Sequence, residues 1–214
     1  MMQLDPKQPM QFMLQDGTPV LLRPVKPDDH ERIQNGMAAL SHESRYFRFF
    51  TSATRLSDQQ LRYFSEVDQH DHVAWVALDS SNPIHSGLGA ARFIRIKEEP
   101  TMAEMALTVI DAYQRRGLGP LLLALLCLLA KASEVQMLRA VVVLENATML
   151  KWLNSLGAMR SYEQGEYRLN LPVQHDLSRT PSDEKPKHAI RVVQTACSCF
   201  GAATLCSKRK HPRR

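Results

Sequence analysis

The sequence predicts a single α/β (α+β) domain in which helices flank a β-sheet. The chain has 214 residues, 44% of them hydrophobic, which suits one domain with a substantial core. Segments rich in β-branched and aromatic residues alternate with segments that carry helix start signals. Two of the strand-like segments are apolar on both faces, as is typical of strands covered by other layers of a fold.

The N-terminal half is predicted to contain one strand, two helices and two further strands. Each helix has its own start signal. Carboxylates at Asp28 and Asp29 favour the first helix, and a capping-box pattern from Ser57 to Gln60 begins the second. In chain order the elements are a strand at 20–25, a helix from 28 to 40, a helix that begins at 57, and a hairpin-like pair of strands at 72–78 and 87–96.

An aromatic-rich stretch, Ser44-Arg45-Tyr46-Phe47-Arg48-Phe49-Phe50, lies between the two helices. We expect a short helical turn whose rings enter the core while the arginines stay in solvent. Interleaved aromatic and basic residues also occur in proteins that bind single-stranded nucleic acid, so that alternative stays open at this point.

The C-terminal half alternates strands and helices. The strand at 103–110 is apolar apart from Glu104 and Thr108, so we expect it near the middle of the sheet. The elements that follow it are a helix at 117–133, a strand at 138–144, a helix at 147–156, and strands at 157–162 and 166–171.

The formal net charge of +5 is concentrated at the C-terminal end. Residues 178–214 carry +7 and the rest of the chain carries −2. We therefore predict an N-terminal extension at 1–17, a domain at 18–172 and a disordered, basic, cysteine-containing tail at 173–214. A terminal basic cluster suits a nucleic acid or an anionic lipid, or is solvated without a partner. The body of the domain gives no reason to expect nucleic-acid binding.

Several classes of protein are not expected. Three of the four cysteines lie in the tail without a histidine at ligand spacing, so we predict no metal site. His70-Asp71-His72 is interpreted as a solvated loop, with a metal clip as the alternative. The first twelve residues have polar side chains and two prolines where an export signal would have its apolar stretch. The longest apolar run, 121–130, is half of the ~20 residues of a membrane helix. We expect a cytoplasmic protein.

Residues 108–120 form the most informative segment, running from a strand through a short loop into a helix. Gly117 and Gly119 permit a tight turn, and the first amides of the helix lack intrahelical partners. Such N–H groups bind phosphate. Arg115 and Arg116 strengthen this reasoning, because cations at a helix N-terminus oppose the dipole unless an anion is present. A simple turn at a helix start is the alternative for a lone G-x-G pattern.

With these residues the sequence resembles the GNAT superfamily of acyl-CoA-dependent N-acyltransferases. Gln114-Arg115-Arg116-Gly117-Leu118-Gly119 matches the family's CoA signature, Gln/Arg-x-x-Gly-x-Gly/Ala. The resemblance covers residues from about 18 to 172 and includes the order of strands and helices. It also includes Glu145-Asn146 and Leu156-Gly157 at the family's helix-to-strand position. It implies a GNAT-like mixed, mostly antiparallel sheet flanked by helices.

The resemblance also implies which residues bind acetyl-CoA. The main chain of Thr108, Val109 and Ile110 would pair with the pantetheine arm like an added strand. Asn146 would lie near the pantetheine or the thioester. The pyrophosphate would be held by the loop and helix start, which consist of Gln114, Arg115, Arg116, Gly117, Leu118, Gly119 and Pro120.

Glu104 is the predicted catalytic residue. A carboxylate in an apolar strand is unfavourable unless it is paired or used, so the residues alone leave a salt-bridged strand end open. Protein-lysine acetyltransferases of the superfamily have their general base in an Ala-Glu-hydrophobic-Ala strand just upstream of the CoA loop. Ala103-Glu104-Met105-Ala106 fits that pattern. The resemblance therefore implies that Glu104 is the general base.

Residues 40–50 also look like the early helical region of bacterial Pat-type acetyltransferases, which modify lysines on acyl-CoA synthetases. We expect acetyl transfer from acetyl-CoA to a primary amine, with a protein lysine as acceptor. A small amine or amino acid is one alternative, and a non-catalytic acyl-CoA-binding module is another. The latter is motivated by Leu153, which stands where many members have a tyrosine that protonates the leaving thiolate. Either the thiolate departs without a full acid, or Tyr113, Tyr162 or a water serves instead.

Overall fold

The computed structural model describes residues 8–14, 16–81, 87–163 and 165–173. These residues form eight strands and five α-helices, and the elements predicted from residue 20 onward are confirmed. In chain order they are β1 (Met10–Met13), β2 (Pro19–Pro24), α1 (His30–Ala39), α2 (His42–Phe49), α3 (Asp58–Ser65), β3 (His72–Asp79), β4 (Gly87–Ile96), β5 (Glu99–Val109), α4 (Leu118–Ala132), β6 (Met137–Val142), α5 (Ala147–Ser155), β7 (Met159–Glu163) and β8 (Glu166–Pro172).

The strands form one sheet in the order β1-β2-β3-β4-β5-β6-β8-β7. Neighbouring strands are antiparallel except for β5 and β6, which are parallel. The predictions of a mixed, mostly antiparallel sheet and of a central β5 are therefore confirmed. Gly89 permits the close approach of β4 and β5, because a Cβ atom there would lie 2.6 Å from the carbonyl oxygen of Thr108.

Strand β3 shows how helices cover both faces of the sheet. Successive strand residues point to opposite faces, and those of β3 belong to two separate apolar clusters. The larger cluster contains the apolar helix α4 and, from β3, Val73, Trp75 and Ala77. The smaller cluster lies under Ile33 of α1 and includes Ala74, Val76 and Leu78. The sheet is thus the middle layer, with α4 on one side and α1 on the other.

The predicted helix starts are present. Ser57 accepts a hydrogen bond from the Gln60 amide at 3.2 Å, and the Gln60 side chain accepts one from the Ser57 amide at 2.9 Å, so the capping box is confirmed. Asp29 is the last residue of a short 3₁₀ turn, Pro27–Asp29, that directly precedes α1. Its buried carboxylate pairs with Arg23 at 2.6 Å, which joins α1 to the end of β2.

The prediction for residues 44–50 was right about the helix but only partly right about which side chains face inward. Tyr46 and Phe50 are 40% and 49% exposed, whereas Arg48 is half-buried and lines a pocket. The guanidinium of Arg45 donates to the carbonyl of Leu40. Phe49 packs against the core, but helix α2 also lies over this pocket, so its inward face accommodates arginine as well.

Strand β1 lies within the residues assigned to the N-terminal extension, where no strand was predicted. It pairs antiparallel with β2, from Met10 opposite Leu22 to Met13 opposite Pro19. Residues 174–214 lie outside the described part of the chain, and so do the zinc, lipid and nucleic-acid interpretations of the tail. Of the helices that the structure describes, none is both long and apolar enough to cross a membrane.

Candidate active site

A gap opens in the sheet between β5 and β6. The two strands pair only where residues 102–104 of β5 lie beside residues 137–139 of β6. Because the strands are parallel, both carboxyl ends lie on the same side of this short pairing, and the part of β5 after Glu104 has no strand partner on its β6 side. A crevice at the carboxyl ends of neighbouring parallel strands is a common ligand-binding position.

The main-chain groups of β5 divide between β4 and the gap. The Ile110 amide donates to the Leu88 carbonyl at 3.0 Å, and its own carbonyl accepts from the Tyr113 amide at 2.9 Å. Since main-chain groups alternate along a strand, Thr108 also faces β4, whereas Leu107 and Val109 face the gap. The pairing of Thr108, Val109 and Ile110 with a ligand stays a prediction. Of the three, only Val109 turns its main-chain groups to the gap, as Leu107 does, whereas those of Thr108 and Ile110 face β4.

The loop after β5 leaves a run of amide groups unpaired. Gly117, the N-cap of α4, has φ +91° and Arg115 has φ +59°, both in the left-handed region. Within the described residues, the amides of 115–119 donate to no acceptor, and Pro120 has no N–H. Successive N–H groups at the start of a 15-residue helix form an anion-binding concavity.

The two arginines of this loop differ in their surroundings. Arg116 pairs with Asp16 at 3.2 Å, and its guanidinium lies 4.8 Å from the centre of the Tyr113 ring. Arg115 is exposed. The argument that both cations require an anionic ligand therefore stays a prediction for Arg115 and does not apply to Arg116, since Asp16 already pairs with Arg116.

A hydrogen-bond network joins this loop to helix α2. Asp111 accepts from the Ser41 amide at 2.8 Å, from the Ser41 hydroxyl at 2.7 Å and from the Ser44 hydroxyl at 3.0 Å. The Gln114 side-chain amide donates to Ser44 and to the Val109 carbonyl, both at 3.2 Å. Sequence analysis identified Gln114 but missed Asp111, Ser41 and Ser44, because these partners are about 70 positions apart in the chain.

Asn146 and Leu153 lie at the start and within the body of α5. Asn146 is its N-cap, and the side-chain oxygen accepts from the Met149 amide at 3.1 Å. The side-chain amide of Asn146 has no acceptor among the described residues. Leu153 is completely buried, so this position would not expose a side chain to a ligand.

Glu104 is exposed, contrary to what its apolar strand suggested. Its neighbours Ala103 and Met105 are buried in the core under α4, so Glu104 points to the opposite face, where α1 and α2 lie. Among the described residues it has no hydrogen bond and no ion pair within 4.0 Å. The salt-bridged alternative for Glu104 is thus not what the structure shows.

A pocket of about 750 Å³, open to solvent, lies on the same face of β5 as Glu104. Its floor consists of small residues of β4 and β5, including Gly89, Ala90 and Ala106. Apolar side chains of α1, such as Ile33 and Met37, form one wall. Arg48 of α2 and Arg92 of β4 also line it.

The two arginines of the pocket are close enough to affect each other. Burial, followed by the charge of Arg48, lowers the pKa of Arg92 to about 9. Burial lowers the pKa of Arg48 to about 10, and the nearby carboxylate of Glu104 opposes that change. Both remain charged at neutral pH. Neither was singled out from the sequence, because only the fold brings α2 against β4.

His72 supports Arg92 and is not arranged as a metal ligand. Burial and the charge of Arg92 lower the pKa of His72 to about 4, so the ring is neutral and its Nε2 accepts from Arg92 at 3.1 Å. The amides of His70, Asp71 and His72 all donate to Asp68. No group of three or more metal-ligating side chains occurs within the described residues.

Comparisons with known proteins agree on the family. Residues 20–159 match the family described as acetyltransferase (GNAT) domain. Acetyltransferase Pat of Mycolicibacterium smegmatis is 38% identical over 152 residues, which is 71% of this chain and 44% of that protein. An acetyltransferase of Pseudomonas aeruginosa is 30% identical over 144 residues, which is 67% of this chain and 77% of that protein. The chain thus spans less than half the length of the first of these relatives.

Solved structures show the same fold. The crystal structure of the GNAT domain of S. lividans PAT has a TM-score of 0.70 and 29% identity, covering 77% of this chain and 96% of that domain. The structure of yncA from Salmonella typhimurium, with its cofactor acetyl-CoA, has a TM-score of 0.57 and 17% identity, covering 77% of this chain and 99% of that protein. The second likeness shows the fold alone.

Proposed function

Because the chain belongs to the GNAT acetyltransferase family, we propose that it transfers an acetyl group from acetyl-CoA to a primary amine, with a protein lysine as acceptor. One observation carries this proposal. The exposed carboxylate of Glu104 and the main-chain edge of Leu107 and Val109, which has no strand partner, lie on a single strand. A base and a binding edge on one rigid element suit a reaction between two substrates.

Acetyl-CoA binds in the gap between β5 and β6 under this proposal. The pantetheine arm pairs with the free edge of β5 at Leu107 and Val109, as a peptide adds to a sheet edge. The pyrophosphate lies on the amides of 115–119, with Arg115 as an additional cation. Gln114 then orients the Val109 carbonyl and holds α2 against the loop, and Asn146 lies at the opposite side of the gap.

Glu104 acts as the general base in the proposed reaction. Directly or through one water, its carboxylate accepts a proton from the acceptor ammonium. The neutral amine nitrogen then attacks the carbonyl carbon of the thioester, and the bond from that carbon to sulfur breaks as the thiolate leaves. The exposure of Glu104 supports this role, since the acceptor reaches it from the pocket side of the sheet.

A main-chain amide of β5 stabilises the developing oxyanion. The N–H of Val109 is one candidate, but it is five residues from Glu104, or roughly 17 Å along the strand. Leu107 faces the same gap and is three residues away, roughly 10 Å. One amine and one water span the shorter separation more readily, so we assign the oxyanion to the Leu107 amide.

The leaving thiolate departs without a tyrosine from α5, because Leu153 is buried there. A thiol pKa of about 8.5 makes a thiolate a tolerable leaving group near neutral pH. Tyr113 directly follows β5 and is half-buried, whereas Tyr162 is 60% exposed on the edge strand β7. Tyr113 is therefore the better placed of the two tyrosines to supply a proton.

A protein lysine is the proposed acceptor because of the similarity to Pat acetyltransferases. A small amine or amino acid as acceptor, and a non-catalytic acyl-CoA-binding module, are the competing proposals. The cytoplasmic setting predicted from the sequence stays a prediction.

The test compares Glu104→Gln with Glu99→Gln. Both residues are exposed on β5, but Glu99 lies at the far end of the strand, 3.8 Å from Arg139. We expect Glu104→Gln to lower turnover by about 10² to 10⁴, the usual contribution of a general base, with CoA binding nearly unchanged. Glu99→Gln should turn over normally. Free thiol release and CoA calorimetry measure the two quantities.

Mass spectrometry of a lysate treated with acetyl-CoA identifies the acceptor. Acetylated protein lysines that depend on Glu104 support the proposal. Activity only on free metabolites supports the small-amine alternative. CoA binding with no thiol release from any amine supports a non-catalytic module, and normal turnover of Glu104→Gln removes Glu104 from the mechanism.

A further inference from the structure

The pocket beside Glu104 contains a cation without a counter-ion. Arg48 has no hydrogen bond and no ion pair within 4.0 Å among the described residues, and its Nε is buried without a partner. Its guanidinium lies 4.7 Å from the centre of the Phe49 ring. A partly buried guanidinium normally has hydrogen-bond acceptors, because its donors lose water on burial.

The other charged groups of the pocket do not supply such an acceptor. Asp29 forms ion pairs with Arg23 at 2.6 Å and with Arg32 at 3.2 Å, so its negative charge is already neutralised by these two residues. Arg92 is the nearby cation described above, and the repulsion between the two positive charges makes the burial of Arg48 still less favourable. Glu104 attracts Arg48 but does not form an ion pair with it.

Arg92 is fixed in position, which makes the pair of arginines a rigid feature. Its guanidinium donates to the Phe64 carbonyl at 3.0 Å and to His72 at 3.1 Å, and it lies 4.4 Å from the centre of the Phe64 ring. Two neighbouring cations in a half-buried pocket repel each other. An anion between them would remove this repulsion.

We propose that Arg48, together with Arg92, binds a carboxylate that the acceptor carries close to its reacting amine. This inference rests on the proposed function and deepens it. Arg92 is paired in register with Ala106, which is two residues from Glu104 on the same face, or roughly 7 Å along β5. The amine at Glu104 and the carboxylate at the arginines are therefore separated by the length of a short side chain.

The shape of the pocket also suits this ligand. Its glycine and alanine floor leaves room, and its apolar walls cover a chain of methylene groups. Guanidinium groups bind carboxylates with paired, charge-assisted hydrogen bonds. The carboxylate has two possible sources: an aspartate or glutamate next to the lysine of a protein, or the carboxylate of a small amino acid.

The experiment uses matched acceptors with and without a carboxylate. One pair is a lysine peptide with glutamate or glutamine on both sides of the lysine. The other pair is 6-aminohexanoate and pentylamine. Each is assayed with the wild-type chain, Arg48→Gln, Arg48→Lys and the control Arg62→Gln, an exposed arginine of α3 outside the pocket. The pair that the wild type prefers identifies the source of the carboxylate.

We expect Arg48→Gln to lower kcat/KM for the carboxylate-bearing acceptor about tenfold or more, mainly through KM, because a charge-assisted hydrogen bond is lost. The acceptor without a carboxylate should change by less than about twofold, as should both acceptors with Arg62→Gln. Arg48→Lys keeps the charge and should recover part of the loss. Equal losses for both acceptors, or no preference in the wild type, would overturn the proposal.

Glutarate, a dicarboxylate without an amine, separates this inference from the proposed function. If no acceptor is acetylated, the proposed function fails and calorimetry with glutarate decides the carboxylate site. Glutarate binding by the wild type and its loss in Arg48→Gln support the site. No glutarate binding by a wild-type chain that is folded by circular dichroism overturns it.

Discussion

Replacing Gly117 by alanine tests the assignment of the loop before α4 to the pyrophosphate. Gly117 has φ +91°, and a Cβ atom there would meet no other atom within 4 Å. The substitution therefore has a conformational cost without a clash. An L-residue in the left-handed region costs roughly 1–2 kcal/mol. For a domain of this size that is a fall in Tm of roughly 2–8 °C.

Gly165, in the turn before β8, is a matched control. It has φ +89° and also meets no atom within 4 Å. The conformational cost of Gly165→Ala is therefore the same, but this turn joins β7 to β8, which lie beyond β6 from the loop after β5. Both variants should lose similar stability in thermal unfolding.

Only Gly117→Ala should weaken acetyl-CoA binding. An alanine at this position either keeps the strained φ or relaxes towards a negative φ, and relaxation re-aims the amides of Gly117 and Leu118. A loss of 1.4 kcal/mol in binding raises Kd about tenfold. Calorimetry with CoA measures this directly. Equal Kd values for the two variants, at equal loss of Tm, would refute the assignment of these amides to the pyrophosphate.

Two further substitutions test the packing that supports the site. Gly89→Ala should destabilise the domain by about 2 kcal/mol or more, measured by urea unfolding, because its Cβ would lie 2.6 Å from a main-chain oxygen of β5; wild-type stability would contradict the close approach of these strands. Asp111→Asn should speed amide exchange in α2. Burial raises the pKa of Asp111, but the hydrogen bonds from Ser41 and Ser44 outweigh it and the pKa is lowered. The wild-type protection of α2 should therefore be complete above about pH 4 and be lost as the pH falls further, whereas the Asn variant should show no such acid-dependent change.

The strands and helices from residue 20 onward were predictable because their signals are local. The capping box at Ser57 and the glycines before α4 specify conformation within a few residues. Strand β1 was not predictable, since it has four residues and gains its stability from pairing with β2 at the edge of the sheet. The inward-facing side chains of α2 were only partly predicted for a related reason: aromatic side chains favour the core, but the fold placed a pocket beneath this helix.

The part of the candidate site that lies within the CoA signature was predictable from the sequence. The loop of 114–120 is continuous in sequence, and the structure shows its unpaired amides. Which residues of β5 face the gap depends on the register with β4, so Thr108 and Ile110 were included and Leu107 was missed. Arg48 and Arg92 come from two distant elements, and no spacing rule joins them. They are recognisable as a candidate binding pair only from the structure, which shows that both line a pocket and that Arg48 lacks a counter-ion among the described residues.

The short pairing of β5 with β6 has a mechanical consequence. Only three residues of each strand hold the sheet together at this point, so the domain consists of two leaves, one containing β1 to β5 and the other β6 to β8. A molecule lying along the open edge would contact both leaves and hold them together. Its contribution to stability would then grow with its concentration, as for any ligand that binds only the folded state. A cofactor bound along this seam, as proposed, would be a structural part of the domain.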